Sequence, residues 1–527
     1  MMRAEAHSFM SLARNVATVG TATLLSRLLG FLRDVGIAAV LGAGVMSDAF
    51  FAALQIPNLF RRLLAEGALN SAFVPMWLRI RDDNGAGAAR RFGEEILGIM
   101  LVSLGVIALV CMLFAPVVVH MLAPGFSTGG DRFALAVDFV RLSVPYVAVA
   151  GLVAVAASIL NAEGRVAAAA FGLVVFNAVM VAAVVFVLRF GESRTAGAIL
   201  SLAIVLAGLA QFALVGLAAV RLPNPPLRLS VRPGSDTRRF FAQVIPGVIA
   251  GGVPQLKLMA GAMVASSSQA AVSWLYYANR LYELPLGVVS IAIASVLGPA
   301  IAASLRGKVH DQIAAAQSRA FEIGMGLALP SAVAFAVLAE PIAGGLFERG
   351  AFGPRDTAAV AGALAAISAG LPGHVLEKVF GAVSFAHEDT RTPMYAAFAG
   401  LATATIGALL LFPHYGHVGI AGAIAISGWV GATILGIVLA RRRWLTIDHD
   451  AWRRLPRIVG ATIVMAAAII GADTLVASAA SLSATQFGRI AVLAVLVVFG
   501  LAVYLATLQL FGVARIRELI AAVRHGL

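Results

Sequence analysis

Arg27, Arg33 and Asp34 fall inside "SRLLGFLRD", near the middle of the first long apolar run of the chain. A charge at that depth of a bilayer costs about 2.5 to 3.5 kcal/mol on insertion scales. The same conflict recurs downstream. Asp48, Gln55 and Arg62 follow at seven-residue spacing on one helical face, with Arg61 beside Arg62 and Glu66 one turn on. Lys257, Arg280, Glu283, Glu377 and Lys378 lie in later apolar runs. Charges in such segments face a bundle interior or an aqueous cavity. Summed, they are mainly positive, and arginine suits phosphate because its planar fork donates paired hydrogen bonds and stays charged when desolvated. The expected ligand is an anion, of the pyrophosphate kind, in a cavity with partly apolar walls. Each charge taken singly also has a structural reading: Arg33 pairing with Asp34, Arg62 with Glu66, Arg280 with Glu283, and terminal arginines snorkelling to headgroups. As a group, with no acid adjacent to Arg27, Arg61 or Arg280, they point to a ligand.

The elements that position these groups are set by composition. Of 527 residues, 60% are hydrophobic and 12% charged, and mean hydropathy is +0.93, far from a soluble globular chain. Apolar runs long enough to cross a bilayer recur throughout, so the chain reads as an all-α polytopic membrane protein. Polar, Gly/Pro and Arg clusters bound fourteen spans near 14–42, 47–78, 92–119, 132–161, 166–190, 195–220, 239–266, 272–305, 314–340, 356–386, 391–412, 417–440, 455–478 and 485–512. Gly30 is placed to let the first span bend and bring Arg27 and Arg33 toward one cavity, and Pro57 to kink the second. No cleavable leader is expected at the N-terminus, which reads as a retained first span.

Loops after the even-numbered spans are basic: Arg79, Arg81, Arg90 and Arg91; Arg221, Arg228, Arg232, Arg238 and Arg239; Arg306, Lys308 and Arg319; and "RRRWLTIDHDAWRRLPR". Both termini are therefore expected in the cytoplasm. Arg132, Arg189, Arg194, Arg349 and Arg355 run against this pattern, each within four positions of an acid. The net charge of +13 sits in short loops rather than in aromatic-interleaved patches, which argues against nucleic acid. The single cysteine, Cys111, excludes a disulfide framework or a thiolate metal site. Asp448, His449 and Asp450 look like metal ligands but lie in a basic loop, and His414 and His417 flank a Tyr-Gly turn. Gly247 and Gly251 form a GxxxG packing spacing. P-loop, HExxH, GxSxG and Rossmann patterns are missing and no catalytic acid-base set presents itself, which leaves an enzyme acting on a membrane lipid as the weaker alternative to a transporter.

An internal repeat organises the spans. "SDAFFAAL" from Ser47 aligns with "SWLYYANR" from Ser273, "APGF" ending at Phe126 with "RGAF" ending at Phe352, and "NAEGR" ending at Arg165 with "HEDTR" ending at Arg391, all at an offset of 226. An offset of six helices gives two lobes of like orientation, related by an axis along the membrane normal. The expected domains are an N-lobe, 1–222; a basic cytoplasmic linker, 223–238; a C-lobe, 239–441; and two added helices with the tail, 442–527. Such lobes commonly hold a substrate at their interface and expose it alternately to each side.

The stretch from Ser26 to Pro75, "SRLLGFLRDVGIAAVLGAGVMSDAFFAALQIPNLFRRLLAEGALNSAFVP", resembles the MurJ/MviN family of bacterial lipid II flippases. The resemblance continues through "SWLYYANRLYELPLGVVSIAIASVLGP" and "HEDTRTP". That family, in the multidrug/oligosaccharidyl-lipid/polysaccharide exporter superfamily, implies a V-shaped central cavity and a groove for the polyprenyl tail on the last two helices. The implied substrate is undecaprenyl-pyrophosphate carrying the disaccharide-pentapeptide of peptidoglycan, moved to the outer leaflet of the bacterial cytoplasmic (inner) membrane.

By the resemblance Arg27, Arg33, Arg61 and Arg280 contact the pyrophosphate or close the cytoplasmic gate, and Asp48 suits the periplasmic gate. Asp34 and Glu66 join the gate candidates, and Lys257, Glu283, Glu377 and Lys378 are candidates for coupling or for lining the cavity. Gln55 stands where relatives often have Lys, and Asn279 where they have Asp. Span seven carries Lys257 and no acid, so sodium coupling is not expected and the membrane potential is the expected drive. No cofactor or metal is expected. Membrane lipids and cell-wall synthesis proteins are the remaining candidate partners, with a monomer as the default. The rival readings are an exporter of another lipid-linked oligosaccharide or of drugs, and a non-transporting scaffold for cell-wall enzymes.

Overall fold

The computed structural model describes residues 2–65, 68–191, 195–304, 310–478 and 485–513. Glu66, Arg194, Arg306 and Lys308, named above, lie outside them. All regular structure among the described residues is α-helical. Among the described residues nine helices are long and apolar enough to cross a membrane, or ten when one bent pair counts as a single span. The fold is the expected all-α, multi-pass one, and the chain divides into two compact units, residues 1–259 and 260–527.

The first unit holds α1 (Met2–Leu41), α2 (Val45–Ala65), α3 (Ala68–Asn84), α4 (Ala86–Leu113), α5 (Ala115–Leu122), α6 (Asp131–Ser143), α7 (Tyr146–Ala162), α8 (Val166–Phe190), α9 (Ala196–Val220) and most of α10 (Ser235–Ala265). Here α1 packs on α8, α8 on α9, α2 on α6 and α7, and α4 on α3 and α7. Stacked and edge-on contacts among Phe73, Trp77, Phe92 and Phe240 tie α3, α4 and the start of α10 together. The second unit holds α11 (Ala271–Ser304), α12 (His310–Val337), α13 (Ala339–Phe347), α14 (Pro354–Ser368), α15 (Leu371–Ala386), α16 (Arg391–Arg441), α17 (His449–Ser478) and α18 (Gln486–Leu510). In it α11 packs on α12, α14 and α15, α15 on α16, α12 on α17, and α18 on α17 and α13.

Helices and expected spans differ at particular places, and proline explains most of them. Spans three, four, nine and ten are each two helices: α4–α5, α6–α7, α12–α13 and α14–α15. In every case a proline opens the second piece: Pro116, Pro145, Pro341 and Pro372. Its missing N–H and fixed φ suit a first turn and not a helix interior. Phe114 and Leu338, and likewise Val144 and Ala369, mark equivalent breaks within two residues of the 226 offset. Spans eleven and twelve run into one another through Gly416 alone, at φ 56° and ψ −141°, a conformation open to glycine. No break interrupts α1 at Gly30.

Candidate functional site

Arg33 is held from two sides. Its Nε and Nη2 donate to Asp34 Oδ1 at 2.9 and 2.7 Å, and its Nη1 donates to Asn177 Oδ1 on α8 at 3.1 Å. Asp34 is completely buried and Arg33 keeps 17% of its side chain exposed. Asn177 Nδ2 in turn donates to Ser26 O, Ser26 Oγ and Leu173 O, each at 3.1 Å. A polar chain thus links α1 to α8. The Arg33–Asp34 pairing is the structural reading raised above. The exposed edge of Arg33 nonetheless faces a cavity, so one guanidinium has both an internal counter-ion and an open side.

That narrow cavity, of about 20 Å³, lies between Arg33 and Ile37 of α1, Phe50, Leu54, Pro57, Asn58 and Arg61 of α2, and Tyr146, Phe176, Met180 and Ile204. Two guanidinium groups from different helices therefore meet an aromatic and aliphatic wall. Tyr146 and Phe176 pack with ring centroids 5.4 Å apart. Gly208 makes room for Tyr146, since a Cβ there would come within 2.5 Å of the ring. Arg27 is exposed and is not among the lining residues. Chemically, the arrangement offers an anion two planar donor groups beside an apolar surface.

Asp48 sits about 20 Å away along α2, thirteen residues before Arg61. It is fully buried, in the first turn of α2, and Arg132 Nη1 approaches its Oδ2 at 3.6 Å. Arg132 also lies 4.8 Å over the Phe126 ring. A negative charge in a first turn is favoured by the helix dipole, and Arg132 adds a counter-charge from α6. Gln55 and Arg62 share that face of α2 and are half-buried; Lys257 of α10 is buried.

In the second unit Arg280 Nη1 and Glu283 Oε2 are 3.4 Å apart, and Asn279 Nδ2 donates to Glu283 Oε1 at 3.2 Å. One turn on, Tyr282 Oη lies 2.8 Å from His374 Nδ1, and Lys378 Nζ donates to Ser290 Oγ at 2.9 Å. Glu377 packs against Gly431 so closely that a Cβ there would meet its carboxyl carbon at 2.8 Å. The structure thus gathers Arg280, Glu283, Glu377 and Lys378 where α11, α15 and the second half of α16 meet. Asp448 to Asp450 stand at the start of α17, where Asp448 N donates to Ser318 Oγ at 2.9 Å. His417 Nε2 is 2.9 Å from Ala359 O. Among the described residues no group of three or more His, Cys, Asp or Glu side chains is placed to hold a metal ion.

Sequence reasoning missed Asn177, Tyr146, Tyr282 and His374, and read Arg132 only as an exception. A signal existed for two of them. Asn177 is a lone amide in "FGLVVFNAVMV", and His374 stands three and four residues before Glu377 and Lys378. For Tyr146 and Tyr282 the contact made the residue informative, and contacts across helices are not written in spacing.

A family described as "Lipid II flippase MurJ" matches residues 37–508. The "Probable lipid II flippase MurJ" of Rhizobium meliloti is 42% identical over 465 residues, 87% of this chain and 86% of that protein. The "Lipid II flippase MurJ" of Burkholderia cenocepacia is 32% identical over 467 residues, 87% of this chain and 89% of that protein. Among solved structures, a lipid II flippase MurJ in an inward closed conformation matches with a TM-score of 0.78, covering 95% of this chain and 99% of that one at 22% identity. An inward-facing multidrug transporter of the MATE family gives 0.64, covering 79% and 94% at 16% identity. The last two likenesses speak for the fold.

Proposed function

Since the chain belongs to the lipid II flippase MurJ family, we propose that it carries lipid II from the cytoplasmic to the periplasmic leaflet of the bacterial inner membrane by alternating access. It acts as a transporter and not as an enzyme, with both termini cytoplasmic. The observation that carries the reading is the convergence of Arg33 and Arg61 on one partly apolar cavity inside a membrane unit. A pyrophosphate is met by the Arg33 and Arg61 guanidinium groups together, while Asp34 fixes the plane of Arg33 from behind. Arg27 and Arg280 add charge along the path. The Asp48–Arg132 pair serves the periplasmic gate, and Asp34 and Glu66 are the further gate candidates.

The working division is an N-lobe of residues 1–222, a basic linker, a C-lobe of 239–441 and a tail-binding pair of helices beyond it, functioning as a monomer. An anionic head moved outward across an inside-negative potential gains about 2.3 kcal/mol per charge per 100 mV, so the potential supplies the drive. Lys257, buried in α10, takes the place of a bound cation. Transport in reconstituted vesicles that requires a sodium gradient would overturn that assignment.

The test of the main reading is leaflet translocation of lipid II in cells depleted of their own flippase. Wild type is expected to restore it, and Arg61→Ala, present in the membrane at equal level, to leave the precursor inside. Failure of wild type rejects the substrate; normal export by Arg61→Ala rejects the cavity as its site.

A further inference from the structure

Between α9 and α10 the chain "RLPNPPLRLSVRPG" forms no helix. Pro223, Pro225, Pro226 and Pro233 lack the N–H a helix needs and hold the backbone extended. This stretch is nonetheless fixed. Glu94 Oε1 on α4 accepts from the backbone N–H groups of Leu227 and Arg228, both at 3.2 Å. Glu94 O accepts from Ser230 N at 3.2 Å, and Glu95 Oε2 from Gly234 N at 2.8 Å. Gly98 lets the Ser230 backbone lie directly on α4, because any Cβ would collide with it. The result is a strap bound to α4 by its main chain.

What the strap turns outward is unusual for a surface loop. Leu227, Leu229 and Val231 are 65, 58 and 56% exposed, at the period of two that an extended chain gives one face. Arg228 and Arg232 alternate with them and are exposed too. Among the described residues neither makes an ion pair, and Glu94 and Glu95 of α4 are engaged by the strap's own backbone donors. The strap also lies at a defined level of the membrane. It crosses α4, itself long and apolar enough to span, at Gly98; Val102, one turn deeper, is an exposed apolar residue.

We propose that residues 225–233 form a docking surface for the anionic glycerophospholipids of the leaflet at that end of α4. Leu227, Leu229 and Val231 enter the interface, and Arg228 and Arg232 meet the lipid phosphates. The strap does with an extended chain what an interfacial amphipathic helix does with a helical one. Binding the strap by its backbone leaves the side chains of Leu227, Arg228, Leu229, Val231 and Arg232 exposed. Alternating apolar and cationic residues match an anionic bilayer surface and no single folded partner, since both chemistries are wanted within one residue of each other. Each arginine near an anionic surface is worth about fivefold in local lipid preference, or about 30-fold for two.

The test places a bimane fluorophore on Leu229→Cys in a full-length Cys111→Ser chain reconstituted in vesicles, and compares quenching by brominated phosphatidylglycerol and brominated phosphatidylcholine at equal fractions. Expected are a blue-shifted probe, a clear preference for the anionic quencher, loss of most of that preference in Arg228→Gln/Arg232→Gln, and its weakening in high salt. A probe that emits as in water, or equal quenching by both lipids, overturns the proposal. An anionic preference unchanged by the double substitution also overturns it, by removing the arginines as its source. Lipid II export by the same chains is read in parallel, so a failed transport assay is not confused with a failed docking surface.

Discussion

Replacing Arg33 separates its structural duty from its proposed ligand duty. Asp34 is wholly buried and takes two of its hydrogen bonds from Arg33, on one oxygen. Arg33→Ala removes that counter-ion and the bond to Asn177 as well. Breaking a buried pair by deleting one partner costs about 3 to 5 kcal/mol, and the lost charge-assisted hydrogen bond to Asn177 about 1.5 kcal/mol more. The exposed edge of Arg33 moves the sum toward the lower end, about 4 to 5 kcal/mol. Replacing both members with apolar groups of similar volume, Arg33→Met/Asp34→Leu, removes the stranded acid and is expected within about 1 kcal/mol of wild type. Unfolding in mixed micelles measures the first effect, and leaflet translocation of the lipid precursor in depleted cells the second. The expected pattern is a stability that falls in the single variant and returns in the double one, with export lost in both. Export returning together with stability would show that Arg33 serves only as the partner of Asp34. A single variant as stable as wild type would refute the energetic argument.

Arg132→Gln takes the counter-charge from buried Asp48; it is expected to lower stability by about 2 kcal/mol, with Asp48→Asn in the same chain restoring most of it in the same micelle assay. Gly208→Val drives a side chain into the Tyr146 ring and is expected to cost about 1 to 3 kcal/mol by overpacking and to abolish export, since Tyr146 is a wall of the Arg33–Arg61 cavity. Asp389 lies in the loop before α16. Partial burial works against its charge, but the Thr392 hydroxyl and amide, Arg442 and the Arg391 amide hold its carboxyl below the ordinary 3.8. Because the folded state lowers this pKa, its stabilising effect is complete at neutral pH and is lost as pH falls below about 4. Asp389→Asn should therefore be less stable than wild type at pH 7 by about 1 kcal/mol, with the difference closing in acid titrations.

How much of this was legible depends on the kind of contact involved. The helical fold, the repeat and the intramembrane charges follow from local composition and spacing, which act within one segment. The proline breaks were written in the sequence too, but the apolar runs continue across Pro116, Pro145, Pro341 and Pro372, so hydropathy hid them. Arg33 and Arg61 share a cavity because α1 and α2 both meet the α7 and α8 wall. Nothing in their 28-residue separation requires that. Arg132 looked like an exception to a charge rule because that rule concerns loops, whereas its partner Asp48 is a buried carboxylate more than eighty positions earlier. Glu94 and Glu95 gave no sign of their role, since their partners are main-chain amides of the linker.

The four proline breaks give the fold moving parts. In each half they cut off a short hairpin, α5 with α6 and α13 with α14, from the long rods that continue it. Bending an unbroken helix in hydrocarbon exposes backbone groups at several kcal/mol each. At each break a proline already removes one such bond, so less backbone is left to expose if a hairpin tilts as a lid. The contacts that hold the lids fall at equivalent points: Arg132 on the first reaches Asp48, and Asp356 on the second accepts from Trp274 Nε1 at 3.0 Å. Asp48 and Trp274 are separated by the same 226 residues as the repeat. One latch is ionic and the other is a neutral donor on a carboxylate, so the two lids are held by different chemistries at equivalent places in the repeat.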